Sequence, residues 1–277
     1  MTSAPFGRLL VVGAGLLGTS VALAVKRRWP GVHLTAMDVN ARSHAPFDVH
    51  LDATGALPAF DLAVLAVPID AYAIWMRRLA LEAPGRVVTD VGSVKRRPHM
   101  EAVATGLATF VGGHPMAGGS RPGPDHARAT LFDDRPWFLT PGEAPADAVA
   151  LARALAEGCG ARVIDTDPDS HDATVAAISH LPQAVASVLM ATVADAADDA
   201  ALAAAAGGLR DSTRIAEGPV GMWQPVFASN ADVLAPLVRA TAARLLALAD
   251  ALGEADGDAV RTLFREANAG RRRLPPL

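Results

Sequence analysis

His114 lies in the run Gly113-His114-Pro115-Met116-Ala117-Gly118, shortly after Asp90-Val91-Gly92-Ser93-Val94-Lys95. A neutral imidazole takes a hydroxyl proton while hydride leaves the same carbon, so a His set beside a hydride acceptor serves as the base of an oxidation. Ser93 is available to a substrate hydroxyl or to the acceptor itself, and equally to cap a helix that begins near Lys95. Farther along the chain, Arg210 and Arg214 stand four residues apart. On a helix they share a face and present two guanidinium groups to one anionic ligand, although Asp211 and Glu217 are near enough in sequence to pair with them instead. His180 and Trp223 complete the candidates, each readable as packing or as pocket lining.

Chemistry of this kind needs a hydride acceptor, and the start of the chain supplies a place for one. Gly13, Gly15 and Gly18 fit G-x-G-x-x-G: the first permits a tight turn, the second lets backbone approach a pyrophosphate, and the third lets helix pack on strand. The phosphates then meet a helix N-terminus. The motif follows the apolar run RLLVV (8–12) and opens TSVALAVKRR, which has helical composition. Asp38, at the end of a second apolar run (32–38), can accept both hydroxyls of a ribose and would repel a 2′-phosphate. NAD is therefore expected rather than NADP, with Arg42 as the residue that could accommodate the extra phosphate. Leu16 and Leu17 in the Gly loop, Val67 and Pro68 beyond the third strand, and Ser93 complete the expected cofactor-binding set.

The elements that must position these groups can be read from periodicity. DLAVLAV (61–67) and RVVTDV (86–91) read as a third and a fourth strand. Near-continuous apolar strands alternating with helices indicate a doubly wound parallel sheet covered on both faces. TFVGGHP, PWFLT and ARVIDT would extend it to about residue 166. In such sheets ligands bind at the carboxyl edge, where Asp90 to Lys95 fall, and His114 is expected in a Gly- and Pro-rich loop just past it. The segment between Asp38 and the third strand is short and broken by Pro, so the usual helix there is expected to be reduced. Beyond Asp167 the chain turns Ala-rich and helical, with Pro182 kinking the first long helix and a break at Gly207-Gly208. The fold class is thus α/β: a Rossmann-type domain over 1–166 and an all-helical substrate and dimerisation domain over 167–277. Ala-rich helices of this kind commonly bury their apolar faces against a second copy, so a homodimer is expected.

Composition excludes other classes. With 277 residues, 51% of them hydrophobic, the chain can bury more than one core. A formal net charge of −4 gives no footprint for nucleic acid. Cys159 stands alone, which leaves no intramolecular disulfide and no cysteine-based metal cluster. The start of the chain lacks a signal-peptide pattern and no run approaches about 18 uninterrupted apolar residues, so a cytoplasmic protein without a membrane span is expected.

Taken in order, GAGLLGTS, DVGSVK, GGHPMAGGS, LFDDRPWFLTP, ISHLP and GGLRDSTRIAEGPVGMW resemble the prephenate and arogenate dehydrogenase family, from about residue 8 to residue 250. DVGSVK together with GGHPMAG is the specific part. The resemblance implies NAD-dependent oxidative decarboxylation of a cyclohexadiene on the route to tyrosine, giving 4-hydroxyphenylpyruvate from prephenate. It also implies roles: His114 as base for the ring hydroxyl, Ser93 contacting that hydroxyl and the nicotinamide, and Arg214 on a substrate carboxylate. Arg210 falls at an often basic position, and His180 and Trp223 line the pocket. A dianionic substrate needs fixed cations, and an Arg fork suits a carboxylate better than Lys does.

This chain departs from the family in its His loop, where Ser120 stands at a position the family usually gives to an acid. An acid there would attend a substrate amino group, so Ser120 tilts the expectation from arogenate toward prephenate. An alternative is a relative that oxidises 4-amino-4-deoxyprephenate, against which the retained His114 argues. A β-hydroxyacid-type dehydrogenase would place a catalytic Lys in the helical half, and no lysine follows Lys95. A catalytically silent NAD-binding protein is the alternative of another class.

Overall fold

The computed structural model describes residues 3–40, 45–119, 121 and 123–275. Strands β1 (Arg8–Val12), β2 (His33–Asp38), β3 (Val49–Asp52), β4 (Leu62–Leu65), β5 (Val87–Asp90), β6 (Phe110–Pro115), β7 (Pro136–Thr140) and β8 (Arg162–Asp165) form an eight-stranded sheet in the order β3-β2-β1-β4-β5-β6-β7-β8. Neighbours run parallel except β6 and β7. Order reverses between β1 and β4, the switch point at which open α/β sheets bind ligands.

Side chains of β1 alternate between two cores, as the two-residue period of a strand requires. Leu9 and Val11 pack with Val21 and Val25 of α1 (Leu16–Arg28) and Leu155 of α4 (Ala146–Gly158). Leu10 and Val12 pack on the other face with Met76 and Leu79 of α2 (Tyr72–Glu82) and Ala102 of α3 (Arg96–Thr105). The sheet is thus doubly wound, as its apolar strands indicate.

Among its described residues the segment after Asp38 lacks its usual helix, as its Pro-broken sequence predicts, but holds a strand the sequence does not announce, and His114 sits in a strand where a loop is expected. Between Asp38 and β4 the described residues hold no helix, and the edge strand β3 pairs there with β2 from Thr35↔Val49 to Asp38↔Asp52. At four residues and only half covered, it lacks the apolar run that marks the central strands. His114 belongs to β6 and not to a loop, because β7 returns antiparallel beside it with His114 opposite Phe138. That pairing encloses the imidazole, leaving His114 only 7% exposed.

Helices take over after β8. Asp167 caps α5 (Pro168–Val175) by accepting from the Ser170 amide at 2.8 Å, with Pro168 in the first turn where its missing N–H is harmless. A π-helical turn, Ala176–His180, leads into α6 (Leu181–Ala196). Pro182 cannot donate to the preceding turn, and the π turn just before it takes up the slip in register. There follow α7 (Asp199–Ala203), α8 (Gly207–Thr213), a 3₁₀ turn (Arg214–Glu217), α9 (Val220–Ser229), α10 (Ala231–Gly253) and α11 (Gly257–Arg271). Gly207 and Gly208 open α8 instead of breaking the chain, so Arg210 is α-helical while Arg214 begins a tighter turn. The run Pro168–Ala196 is long and apolar enough to cross a membrane by length and composition. It also carries His171, Asp172, His180 and Gln183, all buried.

Candidate active site

A buried ion pair holds the carboxyl edge of the sheet together. Lys95 and Asp90 are both fully buried and joined by a short hydrogen bond. The other contacts satisfy them: Tyr72 Oη donates to Asp90 Oδ2 at 2.9 Å, the Gly92 amide to the same oxygen at 2.9 Å, and the Gly113 amide to Oδ1 at 2.8 Å. Lys95 Nζ also donates to the Gly113 carbonyl at 2.6 Å. The pair therefore clamps the turn that carries Ser93 to the residue preceding His114. Burial lowers the Lys95 pKa against the pull of Asp90, and raises that of Tyr72.

His114 extends this cluster into the helical half. Its Nδ1 lies 2.8 Å from Nε2 of His171, whose own Nδ1 lies 2.7 Å from Asp172 Oδ1. Only Nε2 of His114 is left for a ligand. Burial, with the nearby charges of His171, Lys95 and His180, pushes His114 well below the usual imidazole range and keeps it neutral. Burial alone would raise Asp172, but hydrogen bonds from His171 and from the Arg96 and Lys95 amides bring it below its ordinary value. Those amides, at 3.0 and 2.7 Å, open α3, so a carboxylate from the helical half caps a helix of the sheet half. Ser93, half-buried in the preceding turn, is not that cap: the N-cap residue of α3 is Lys95, whose own side chain makes no capping bond.

Arg96 fastens the two halves. Its guanidinium reaches Asp172 at 3.3 Å, Asn230 Oδ1 at 2.9 Å and Asp232 at 2.8 Å. Asn230, fully buried, donates to the Asp172 carbonyl at 2.8 Å and to His180 Nδ1 at 3.3 Å. His180 is enclosed by Trp223 and Phe227, at centroid distances of 6.1 and 6.3 Å, and its buried Nε2 has no hydrogen-bond partner among the described residues.

The glycine loop fits a dinucleotide. Gly13 has φ +96°, and a Cβ there would lie 2.4 Å from the Ala66 carbonyl oxygen. A Cβ at Gly18 would lie 2.0 Å from the Gly13 oxygen, whereas one at Gly15 meets nothing within 4 Å. The loop is closed toward β4 and open where a pyrophosphate would approach, with Leu16 and Leu17 half-buried at the start of α1. Asp38 Oδ2 accepts from the Ala14 amide at 2.7 Å, which holds its carboxylate at the mouth of that loop. Val67 and Pro68 follow β4 at the same edge, and a Cβ on Gly119 would lie 3.3 Å from Leu16, so the segment after His114 reaches over the loop.

Of the candidates read from sequence, His114 joins the ion-pair cluster, and His180 and Trp223 pack together. Arg210 and Arg214 are exposed on the segment packed against α6. Arg210 donates to the Ala205 carbonyl at 3.0 Å, and neither arginine makes an ion pair with a described residue. Ser120 and Arg42 lie outside the described residues. His171, Asp172, Asn230 and Arg96 escape the sequence reading. The cue for the first two is an adjacent His-Asp pair in the opening turns of a helix, but 57 residues separate His171 from His114.

Two family models match the chain: the nucleotide-binding domain of prephenate dehydrogenase over residues 21–165 and its dimerization domain over 167–266. A cyclohexadienyl dehydrogenase of Zymomonas mobilis is 32% identical over 96% of this chain and 95% of its own length. A prephenate dehydrogenase of Bacillus subtilis is 32% identical over 81% of this chain, which spans 64% of that relative's length. Among solved structures, prephenate dehydrogenase from Aquifex aeolicus in complex with hydroxyphenyl propionate and NAD+ superposes with a TM-score of 0.88 at 25% identity, covering 99% of this chain and 100% of the other.

The buried pair and the buried imidazoles make distinct stability predictions. Lys95→Met leaves Asp90 buried and unpaired, so urea denaturation should show a loss of about 3–5 kcal/mol, and Asp90→Asn added to it should recover part of that. His180 is lowered from 6.5 to about 4 by burial, and His114 and His171 are lowered as well. The unfolded chain therefore binds more protons below pH 6.5, so stability is complete above that value and is lost as pH falls toward 4. Urea midpoints measured across that window should fall with pH, and His180→Gln should flatten the slope.

Proposed function

This chain belongs to the prephenate dehydrogenase family, and we propose that it converts prephenate to 4-hydroxyphenylpyruvate with His114 as the base. The observation that carries the reading is a buried, neutral imidazole with one free nitrogen, locked to the Ser93 turn by the Asp90–Lys95 pair. The cofactor is NAD. When bound it supplies the hydride acceptor; Gly13, Gly15, Leu16, Leu17 and Gly18 hold its pyrophosphate, and Asp38 its adenosine ribose.

His114 Nε2 accepts the hydrogen bond of the ring hydroxyl and holds that proton as the carbon bearing it is oxidised. Ser93 orients the same hydroxyl. The ring carboxylate leaves as CO2, and aromatisation makes the step effectively irreversible. Arg214 holds a substrate carboxylate, supported by its lack of an ion-pair partner among the described residues, with Arg210 adding positive charge. The unpartnered Nε2 of His180 offers a further hydrogen bond, and Trp223 walls the pocket. A Ser at position 120, in place of an acid, favours a substrate side chain without an amino group.

The division near residue 166 separates the cofactor unit from the substrate and dimerisation unit. We assign the exposed apolar side of the helical unit to a second copy of the chain. Val185, Val188 and Leu189 on α6 are exposed, and Ala184, Phe227, Leu234 and Val238 line an apolar groove beside them.

Reduced-cofactor absorbance tests the reading, with prephenate, arogenate and 4-amino-4-deoxyprephenate each offered with NAD and with NADP. Prephenate with NAD is expected to turn over fastest. Faster turnover of an amino-bearing substrate would overturn the inference from Ser120, and no turnover with any would leave a silent NAD-binding protein. His114→Asn should lower kcat by about 10² to 10⁴ with little change in KM. Arg214→Ala should act chiefly on KM, raising it about 10- to 100-fold, the roughly 1.5–3 kcal/mol of a hydrogen bond to a charged group.

A further inference from the structure

The base reading of His114 requires its free nitrogen, Nε2, to be the unprotonated one, and nothing in β6 itself dictates that. Two neutral imidazoles meeting at 2.8 Å share one proton, and either can be the donor. The element packed across them settles which. Asp172 accepts from the Lys95 amide at 2.7 Å, the Arg96 amide at 3.0 Å and Arg96 Nε at 3.3 Å, a set of donors that holds it as a carboxylate. A carboxylate only accepts, so His171 Nδ1, 2.7 Å away, carries a proton. A neutral imidazole has one N–H, which leaves His171 Nε2 bare. His114 Nδ1 must then be the donor across the 2.8 Å contact, and its Nε2 lone pair faces the ligand.

We propose that His171 and Asp172 are positioning residues that fix the tautomer of His114 and receive its charge when it takes a proton. The proposal rests on the reading of His114 as base. When Nε2 binds the hydroxyl proton, the Nδ1 proton can pass to His171 Nε2. The positive charge then lies on the ring whose Nδ1 is 2.7 Å from the Asp172 carboxylate. Besides these groups, His180 and Asp90 belong to the same cluster, and Phe138 stacks edge-on against His171 at 5.3 Å, closing off water. His171 and Asp172 lie on α5, so the helical half determines which nitrogen of a sheet residue is the base.

The test needs no substrate. In protein labelled with 15N-histidine, long-range 1H–15N spectra near pH 7.5 should show His114 with Nδ1 protonated and Nε2 bare. His171→Leu should abolish that single tautomer and lower kcat roughly 10- to 100-fold, the usual range for a partner that orients a functional imidazole, while KM stays within about twofold. His171→Gln, whose Oε1 can accept from Nδ1, should restore the tautomer and much of kcat, and thermal melts will show whether either variant is folded. An Nε2-protonated His114 in the parent protein, or an unchanged tautomer and kcat in a folded His171→Leu, would overturn the proposal. Absence of turnover with every cyclohexadienyl substrate, alongside the expected spectrum, would instead overturn the assigned reaction and leave the tautomer assignment standing.

Discussion

Two opposite charges, Asp90 and Lys95, lie fully buried at the carboxyl edge of the sheet, and the site is built around keeping them satisfied. Removing ions from water costs several kcal/mol each, which is repaid only when their remaining hydrogen-bonding capacity is used. Here the partners are Tyr72 and backbone groups of Gly92 and Gly113, and this explains the glycines. A Cβ on Gly92 would lie 2.6 Å from Tyr72 Oη and 2.9 Å from Asp90 Oδ2, and one on Gly113 2.5 Å from the Asp90 carbonyl oxygen, whereas one on Gly112 would first meet Thr140 Oγ1 of β7, at 2.2 Å. Gly92 and Gly113 thus bear the imprint of one ion pair solvated by protein.

The same constraint reaches the helical half through α3. Its first amides point at Asp172, and its first side chain, Arg96, spans Asp172, Asn230 and Asp232. A helix N-terminus already favours negative charge, so the carboxylate that docks the two halves is also the one that backs the imidazole pair. Domain docking and the protonation state of the site therefore share atoms.

The sheet was largely legible because its evidence is local. The continuous apolar run of β1, the glycine turn and Asp38 all fall within one strand-helix-strand unit, where spacing has a direct geometric meaning. The edge strand β3 was not, since a short, half-exposed strand carries no distinctive pattern. The sequence around His114 misleads for a related reason: glycines and prolines suggest a loop, but here the glycines make room for the Asp90 cluster and for Thr140 of β7, which pairs beside them. Nothing in the residue types showed that Lys95 is buried, because lysine is almost always exposed. The contact from His114 to His171 depends on how the halves dock, and no periodicity reports on that.

In the proposed reading of His114 as base, the imidazole must be neutral at rest and charged in action, which is best served by charges held one layer behind it. Lys95 and burial disfavour the imidazolium of His114, which keeps the free nitrogen available. Asp172, set beyond His171, is too far to neutralise His114 directly, yet can stabilise a charge that has moved one ring inward. Had the carboxylate touched His114 itself, it would have favoured the protonated imidazole in the resting protein and removed the acceptor the reaction needs. Interposing a second imidazole separates the two requirements, and placing it on the helical half makes both depend on the docked arrangement of the chain.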